Sequence, residues 1–418
     1  MKNPERCHRE GLVRAKLSRS TTRGLIAAWI RVRGVVEDRG ATPIAVGLAL
    51  FFATSWASAE SSVPRMFGGG ASFTVEELPE GKLKKGLDEL DAESRSKAME
   101  WLHGLQFDEA DAAGHLRVDR DGGVFIVCPE AGECAAGCLH DHPEHQDPLE
   151  DPNSIKLAGE DAEPSGDGPP GVSAAPVPVS SPPAYDSRPG ATRHIYLDFN
   201  GAYVTGKAWT ATDNTTTWDT WDCAAWDTDG NPASFSDTEQ ANIRRIWERV
   251  AEDYAPFDVN VTTNVIYDPE YSGPDAYTGS RNNVGWLLTT PTTDKNGARC
   301  PHFGSGGVAY VGVFGRNDYF SNYQPAWVTP MSTANIAEAA SHEMGHNLGL
   351  SHDGTSGLEY YGGHPGTSSA PSWGPIMGTG YGRNVSQWSK ASEYFDGNRT
   401  QDDLLIISNR VGYRPDDH

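Results

Sequence analysis

The spacing of apolar and polar positions divides the chain into four stretches. A leader rich in Arg and Lys precedes an apolar run from Ile44 to Trp56, which ends at Ala57-Ser58-Ala59. Between residues 60 and 163, Leu83, Leu87, Leu90, Ala98, Trp101, Leu102 and Leu105 recur near helical spacing. The alternating stretch Val124-Phe125-Ile126-Val127, after the turn Asp121-Gly122-Gly123, reads as a short strand. Residues 164–190 shift to Pro, Ser, Gly and Ala, with Pro169-Pro170 and Pro182-Pro183 among them. Such a composition buries no core and predicts an extended, protease-accessible linker, with Arg188 and Arg193 as candidate cleavage points.

From residue 191 onward the pattern is that of an α+β domain. His194-Ile195-Tyr196-Leu197-Asp198-Phe199 is an alternating strand, and 258–262, 284–288 and 307–314 read as further strands. Ser236, with Glu239 three residues on, forms a capping box at the start of a helix. The apolar stripe of that helix is Ile243, Ile246, Trp247, Val250 and Tyr254. Ser332 and Thr333 offer N-cap oxygens to a second helix through Ile336, Ala337, Ala339 and Ala340. Asp402-Asp403 places acid in the first turn of a last helix carrying Leu404, Leu405, Ile406 and Ile407.

The second helix runs into His342-Glu343-Met344-Gly345-His346-Asn347-Leu348-Gly349-Leu350-Ser351-His352-Asp353. His342 and His346 lie one turn apart on one helical face, so both imidazoles can reach one metal ion. A catalytic zinc site needs a third protein ligand and an open position. His352 would lie nearly three turns on if the helix continued. Gly349 tolerates positive φ, which lets the chain leave the helix there and fold His352 back beneath the metal. Glu343 points about a quarter turn from the ligand face, toward the open position. A carboxylate there can take the proton of a zinc-activated water attacking a carbonyl, then deliver it to the leaving amine.

A buried helix that happens to carry three histidines is the plain alternative. Against it stands the extended pattern H-E-x-x-H-x-x-G-x-x-H, which fixes five positions at set spacings and is followed downstream by a methionine turn. On these residues the chain resembles the metzincin metalloproteases. The resemblance is to the adamalysin or reprolysin type, because Asp353 directly follows the third histidine and Gly345-His346-Asn347-Leu348-Gly349 reads as that group does. It implies one zinc ion held by His342, His346 and His352, with Glu343 as general base. It also implies a methionine turn at Gly374-Pro375-Ile376-Met377-Gly378, with Met377 as an apolar floor under the histidines. The expected fold is a metzincin catalytic domain over 191–418, comprising a twisted mixed sheet, a backing helix, the zinc helix and a small C-terminal subdomain. Its upper part would be 191–352 and its lower part 353–418. The resemblance further implies that substrate lies as an added strand along 307–314, where Gly304, Gly306, Gly307 and Gly312 allow close approach.

The chain departs from the animal enzymes in having no cysteine after His352, which makes a compact bacterial-style relative the better description. Where some metzincins place a tyrosine two residues after the methionine, Thr379 stands here, with Tyr381 nearby as a packing residue.

The order of basic leader, short apolar run and small residues reads as a secretory signal over 1–59, too short for a membrane span. Before a protease domain, residues 60–163 read as a propeptide. The stretch from Cys128 through Cys134 and Cys138 to His145 admits three readings. A thiolate, with Cys128 the first candidate, could occupy the open zinc position and keep the enzyme latent. Two of the cysteines could form a disulfide, or Cys and His could build a separate metal site. Cys223 and Cys300 are expected to pair in an exported protein. Asp227-Thr228-Asp229-Gly230-Asn231 resembles the start of a calcium loop but lacks the later glutamate, and reads as a turn. His302 and His364 read as surface or packing residues.

The formal net charge of −23 argues against nucleic acid as a partner and leaves the oligomeric state open. The expected activity is a secreted zinc endopeptidase made as a zymogen. Two alternatives remain at this point. One is a surface-binding module with zinc as a staple, disfavoured because a structural site has four protein ligands and no use for Glu343. The other is a zinc hydrolase of cell-wall peptide amides.

Overall fold

In the computed structural model, residues 65–129 and 175–415 are described, apart from 214, 356, 357, 368, 395, 396, 398 and 399. The expected signal over 1–59, Cys134, Cys138 and the linker up to 174 lie outside them. All the described residues belong to one compact unit, 60–418.

Helix α1 (Lys82–Glu89) buries Leu83 and Leu87. Asp91 caps α2 (Ala92–Gly104) by accepting from the backbone N–H groups of Glu93 and Ser94, and Ala98 and Leu102 face inward from it. Phe67, Phe73 and Phe107 close this small core, with ring centroids 5.3 to 5.7 Å apart. Two strands follow, β1 (Leu116–Val118) and β2 (Val124–Cys128), joined by a turn in which Asp119 accepts from the N–H groups of Asp121 and Gly123.

The larger core lies around β3 (His194–Asp198), α3 (Asp237–Asp253), β4 (Asn260–Thr262), β5 (Val284–Thr289), β6 (Gly307–Tyr310), β7 (Ala326–Val328), α4 (Thr333–Leu348) and α5 (Asp403–Val411). The seven strands form one mixed sheet in the order β4-β3-β5-β7-β6-β2-β1. Strands β4, β3, β5 and β7 run parallel, and β6 is antiparallel to β7. Every residue of β3 and β5 is buried, as expected for parallel strands covered on both faces. The Ser236–Glu239 capping box is present at the start of α3. Tyr254 OH donates to Ser341 O at 3.1 Å and Ser341 Oγ to Asp253 Oδ2 at 2.6 Å, tying the end of α3 to the middle of α4.

Three expectations need correction. The strand expected over 307–314 ends at Tyr310, because Gly312 takes φ +70° and the chain turns to serve the end of α4. There Gly312 N donates to His346 O at 2.8 Å and Phe314 N to Asn347 O at 2.9 Å. Nor is β6 an open edge. Strand β2 pairs along it antiparallel, matching Gly307 with Cys128 and Tyr310 with Phe125. Lastly, the Pro/Ser-rich stretch is built into the domain from residue 175 onward. Val177–Pro178 pairs with Ser234–Phe235, Ser187 N donates to Val261 O, and the Arg188 guanidinium reaches Asp258 Oδ1 at 2.7 Å. Arg193 O accepts from Asn260 N, so neither arginine sits on an open linker.

Candidate metal centre

Helix α4 begins with Ser332 Oγ accepting from Asn335 N and ends at Gly349, φ +113°. Leu350 N donates to Gly345 O and Gly349 N to His346 O, the paired bonds of a left-handed helix stop. This turn brings His352 back beside the helix, as the glycine predicted. Ring centroids of His342, His346 and His352 lie 4.8 to 5.4 Å apart.

Each imidazole is oriented from behind. His342 Nδ1 donates to Ile376 O at 2.7 Å and His346 Nδ1 to Leu350 O at 2.8 Å. Carbonyls only accept, so both Nδ1 atoms carry the proton and both Nε2 atoms are bare toward the site. His352 Nδ1 faces two carboxylates, Asp111 Oδ1 at 3.0 Å and Glu359 Oε1 at 3.2 Å. Met377 is fully buried beneath the helix, where a Cβ on Gly345 would come within 2.6 Å of its Sδ.

Cys128 Sγ completes the cluster, 3.5, 3.4 and 3.6 Å from the Nε2 atoms of His342, His346 and His352. A tetrahedral zinc with one sulfur at ~2.3 Å and nitrogens at ~2.05 Å puts sulfur about 3.55 Å from each nitrogen. Four buried donors with this spacing fit zinc, and His342, His346 and His352 are the residues that would hold it together with the thiol.

Glu343 lies against this cluster with its carboxylate over Gly307, where a Cβ would meet its Oε1 at 2.3 Å. Its Oε2 is buried with no hydrogen-bond partner among the described residues. Burial lifts its pKa to about 8, opposed by a hydrogen bond from Cys128. Burial pushes His342 down to about 3, with His352 adding to the shift. For His352 burial acts downward, but the two carboxylates prevail and raise it to about 9. Glu359 is raised by burial yet brought down to about 2 by His115 and His352.

Gly307 is therefore a packing requirement of Glu343. A Gly307→Ala variant is expected to bind zinc as the parent does and to lose peptidase kcat by about tenfold to a hundredfold, the order of effect of displacing a carboxylate at the site by around 1 Å. Metal content and kcat measured together check it, and unchanged kcat would show that the contact is slack.

Asp111 and Glu359 escape a reading of the sequence, and Tyr360 stands there only as one of several aromatic residues after His352. Tyr360 packs its ring 4.1 Å from His352, and none of the three stands in a recognisable motif. Cys223 and Cys300 are brought together as buried free thiols in hydrogen-bond contact, which with burial raises Cys223. His302 is buried against Trp327, with its Nε2 3.0 Å from Thr290 O, whereas His364 stacks on Trp373 near the surface. Asp227 and Asp229 do approach a glutamate, Glu239. Their oxygens already accept backbone N–H groups of the turn, and Glu239 is engaged by Thr228 and Ser236.

Among the described residues no helix is long and apolar enough to cross a membrane. A search of curated proteins and a search of solved structures returned no match to the chain. A family model, Metallo-peptidase family M12 (Reprolysin_5), matches residues 222–389, which span α3, α4 and the Met377 turn. That segment, with its three histidines on and after α4, is a metzincin domain of the reprolysin type, in metallo-peptidase family M12.

Proposed function

We propose that this protein is a secreted zinc endopeptidase held as a zymogen by its own residues 65–129, with secretion resting on the signal-like sequence of residues 1–59. The observation that carries the zymogen reading is the position of β2 and its last residue. Strand β2 lies along β6, and Cys128 Sγ stands within 3.6 Å of all three Nε2 atoms. One strand thus fills both the edge that a substrate backbone would use and the position its scissile bond would need.

The same strand supports endopeptidase over exopeptidase action. It enters the site as an internal stretch, with chain continuing on both sides of Cys128, so the cleft accepts a peptide without a nearby end. The Cys128 carbonyl accepts from Gly306 N at 2.9 Å. The bond that follows leads to Pro129.

Zinc held by the three imidazoles would polarise a carbonyl and acidify a water. Glu343 would take the proton of the attacking water and hand it to the departing amine, with Gly307 keeping the carboxylate close to β6. Ile376 O and Leu350 O fix two of the rings from within the catalytic domain, so His342 and His346 need no rearrangement between latent and active forms.

Residues 65–129 grip the rest through Trp101 Nε1 to Val311 O at 2.9 Å, Tyr310 OH to Asp119 Oδ2 at 2.8 Å and Ser351 Oγ to Gln106 O at 2.5 Å. Since residue 175 onward belongs to the catalytic fold, maturation would cut between 130 and 174. In an oxidising compartment Cys223 and Cys300 would also pass two electrons and two protons to an external thiol oxidant and close into a disulfide. The test is digestion of an unfolded protein by the matured chain, with and without chelator. Internal cleavage abolished by chelation supports the reading. Absence of cleavage by zinc-loaded protein would point to a binding module, and trimming from chain ends alone to an exopeptidase.

A further inference from the structure

We propose that the imidazole of His352 is held by two interchangeable carboxylates, Asp111 from the N-terminal segment and Glu359 from the catalytic domain, so that the metal site keeps its third ligand oriented through maturation. The proposal rests on the reading of His352 as a zinc ligand. Its ground is an asymmetry among the three rings. His342 and His346 donate Nδ1–H to backbone carbonyls of their own domain. His352 has one N–H and two carboxylates upon it, at 3.0 and 3.2 Å.

Both acids are built into their places. Asp111 is fully buried; its Oδ2 accepts from Asp108 N, while Asp108 Oδ1 accepts from Asp111 N and Ala110 N. Glu359 directs its second oxygen to His115 Nε2 at 3.0 Å. His115 Nδ1 in turn donates to Val127 O, next to Cys128 on β2. Departure of the segment that carries Cys128 therefore also removes Asp111 and His115. What remains on His352 Nδ1 is Glu359, released from its second partner and seven residues after the ligand it serves.

A carboxylate behind a ligating histidine fixes the ring and its tautomer and strengthens the ligand, and losing it costs about 10- to 100-fold in metal affinity. With Asp111 alone the domain would lose that factor in zinc affinity on activation. With Glu359 present at the same nitrogen, a site loaded in the precursor stays loaded. Asp111 and Glu359 are thus positioning residues, acting through His352.

The experiment compares zinc affinity, by competition with a chromophoric chelator, for the full-length parent, Asp111→Asn, Glu359→Gln and the double variant. The thermal midpoint of each metal-free form reports folding. Each single change is expected to weaken zinc binding by no more than about threefold, and the pair by about 10- to 100-fold. If the double variant does not fold, Glu359→Asp in the Asp111→Asn background replaces it, expected at about tenfold. A double variant that binds zinc like the parent overturns the proposal, as does a single variant that alone shows the whole loss. His352→Ala separates the premise from the proposal: parental affinity in that chain would mean that His352 is no ligand.

Discussion

Full-length chain carrying Cys128→Ala is expected to digest unfolded protein without prior cleavage, at a rate about tenfold to a hundredfold above the parent precursor. The thiol sits 3.4 to 3.6 Å from three ligand nitrogens, and its removal leaves space for a water where the sulfur was. Loss of one such contact is worth a few kcal/mol at most, and each 1.4 kcal/mol is tenfold in the population of open sites. Activity should stay below that of the matured enzyme, because β2 still pairs with β6 from Phe125 to Val127 in the variant. The assay is initial rate on a quenched fluorescent protein, compared with parent precursor and with parent after maturation. A Cys128→Ala precursor as silent as the parent would take the thiol out of the account and leave the strand as the block.

Glu343→Gln is expected to cost about 10²- to 10⁴-fold in kcat of the matured enzyme, with KM and zinc content near parental. Glutamine keeps the length and packing over Gly307 but cannot accept the proton. With residues 65–129 in place burial raises this carboxyl to about 8, the direction expected where a segment shuts out water. For a base of raised pKa, activity climbs as pH rises through that pKa and the carboxylate forms. Departure of residues 65–129 hydrates the site, so the acid limb of the matured enzyme is expected below pH 8 and absent from the glutamine variant. Kinetics across pH on both proteins check this, and cleavage by Glu343→Gln at parental rate would undo the assigned role.

The metal centre was legible because its geometry is nearly all local. Two histidines a turn apart, a glycine able to take φ +113° and a third histidine after it determine where three rings meet, and helix periodicity supplies the rest. Strands rich in apolar residues, such as 194–198 and 284–289, were legible for the same reason. What the sequence hid was long-range. Ala326–Val328 is too short to show a period, although it sits in the middle of the sheet. Asp111 reaches His352 across the fold, and nothing near it in the chain distinguishes it from other surface-like acids. The pairing of β2 on β6 also had no local signature, since an edge strand shows the same alternation whether substrate or the chain itself lies beside it. Cys128 directly follows the alternating run 124–127, and the structure puts that end of the strand over the histidines.

The most direct test is X-ray absorption at the zinc edge on the full-length protein and on the same protein after maturation. Coordination by Cys128 predicts three nitrogen neighbours and one sulfur at about 2.3 Å before cleavage, with the sulfur replaced by oxygen afterwards. A precursor whose zinc has no sulfur neighbour, or a matured enzyme that keeps one, would contradict it.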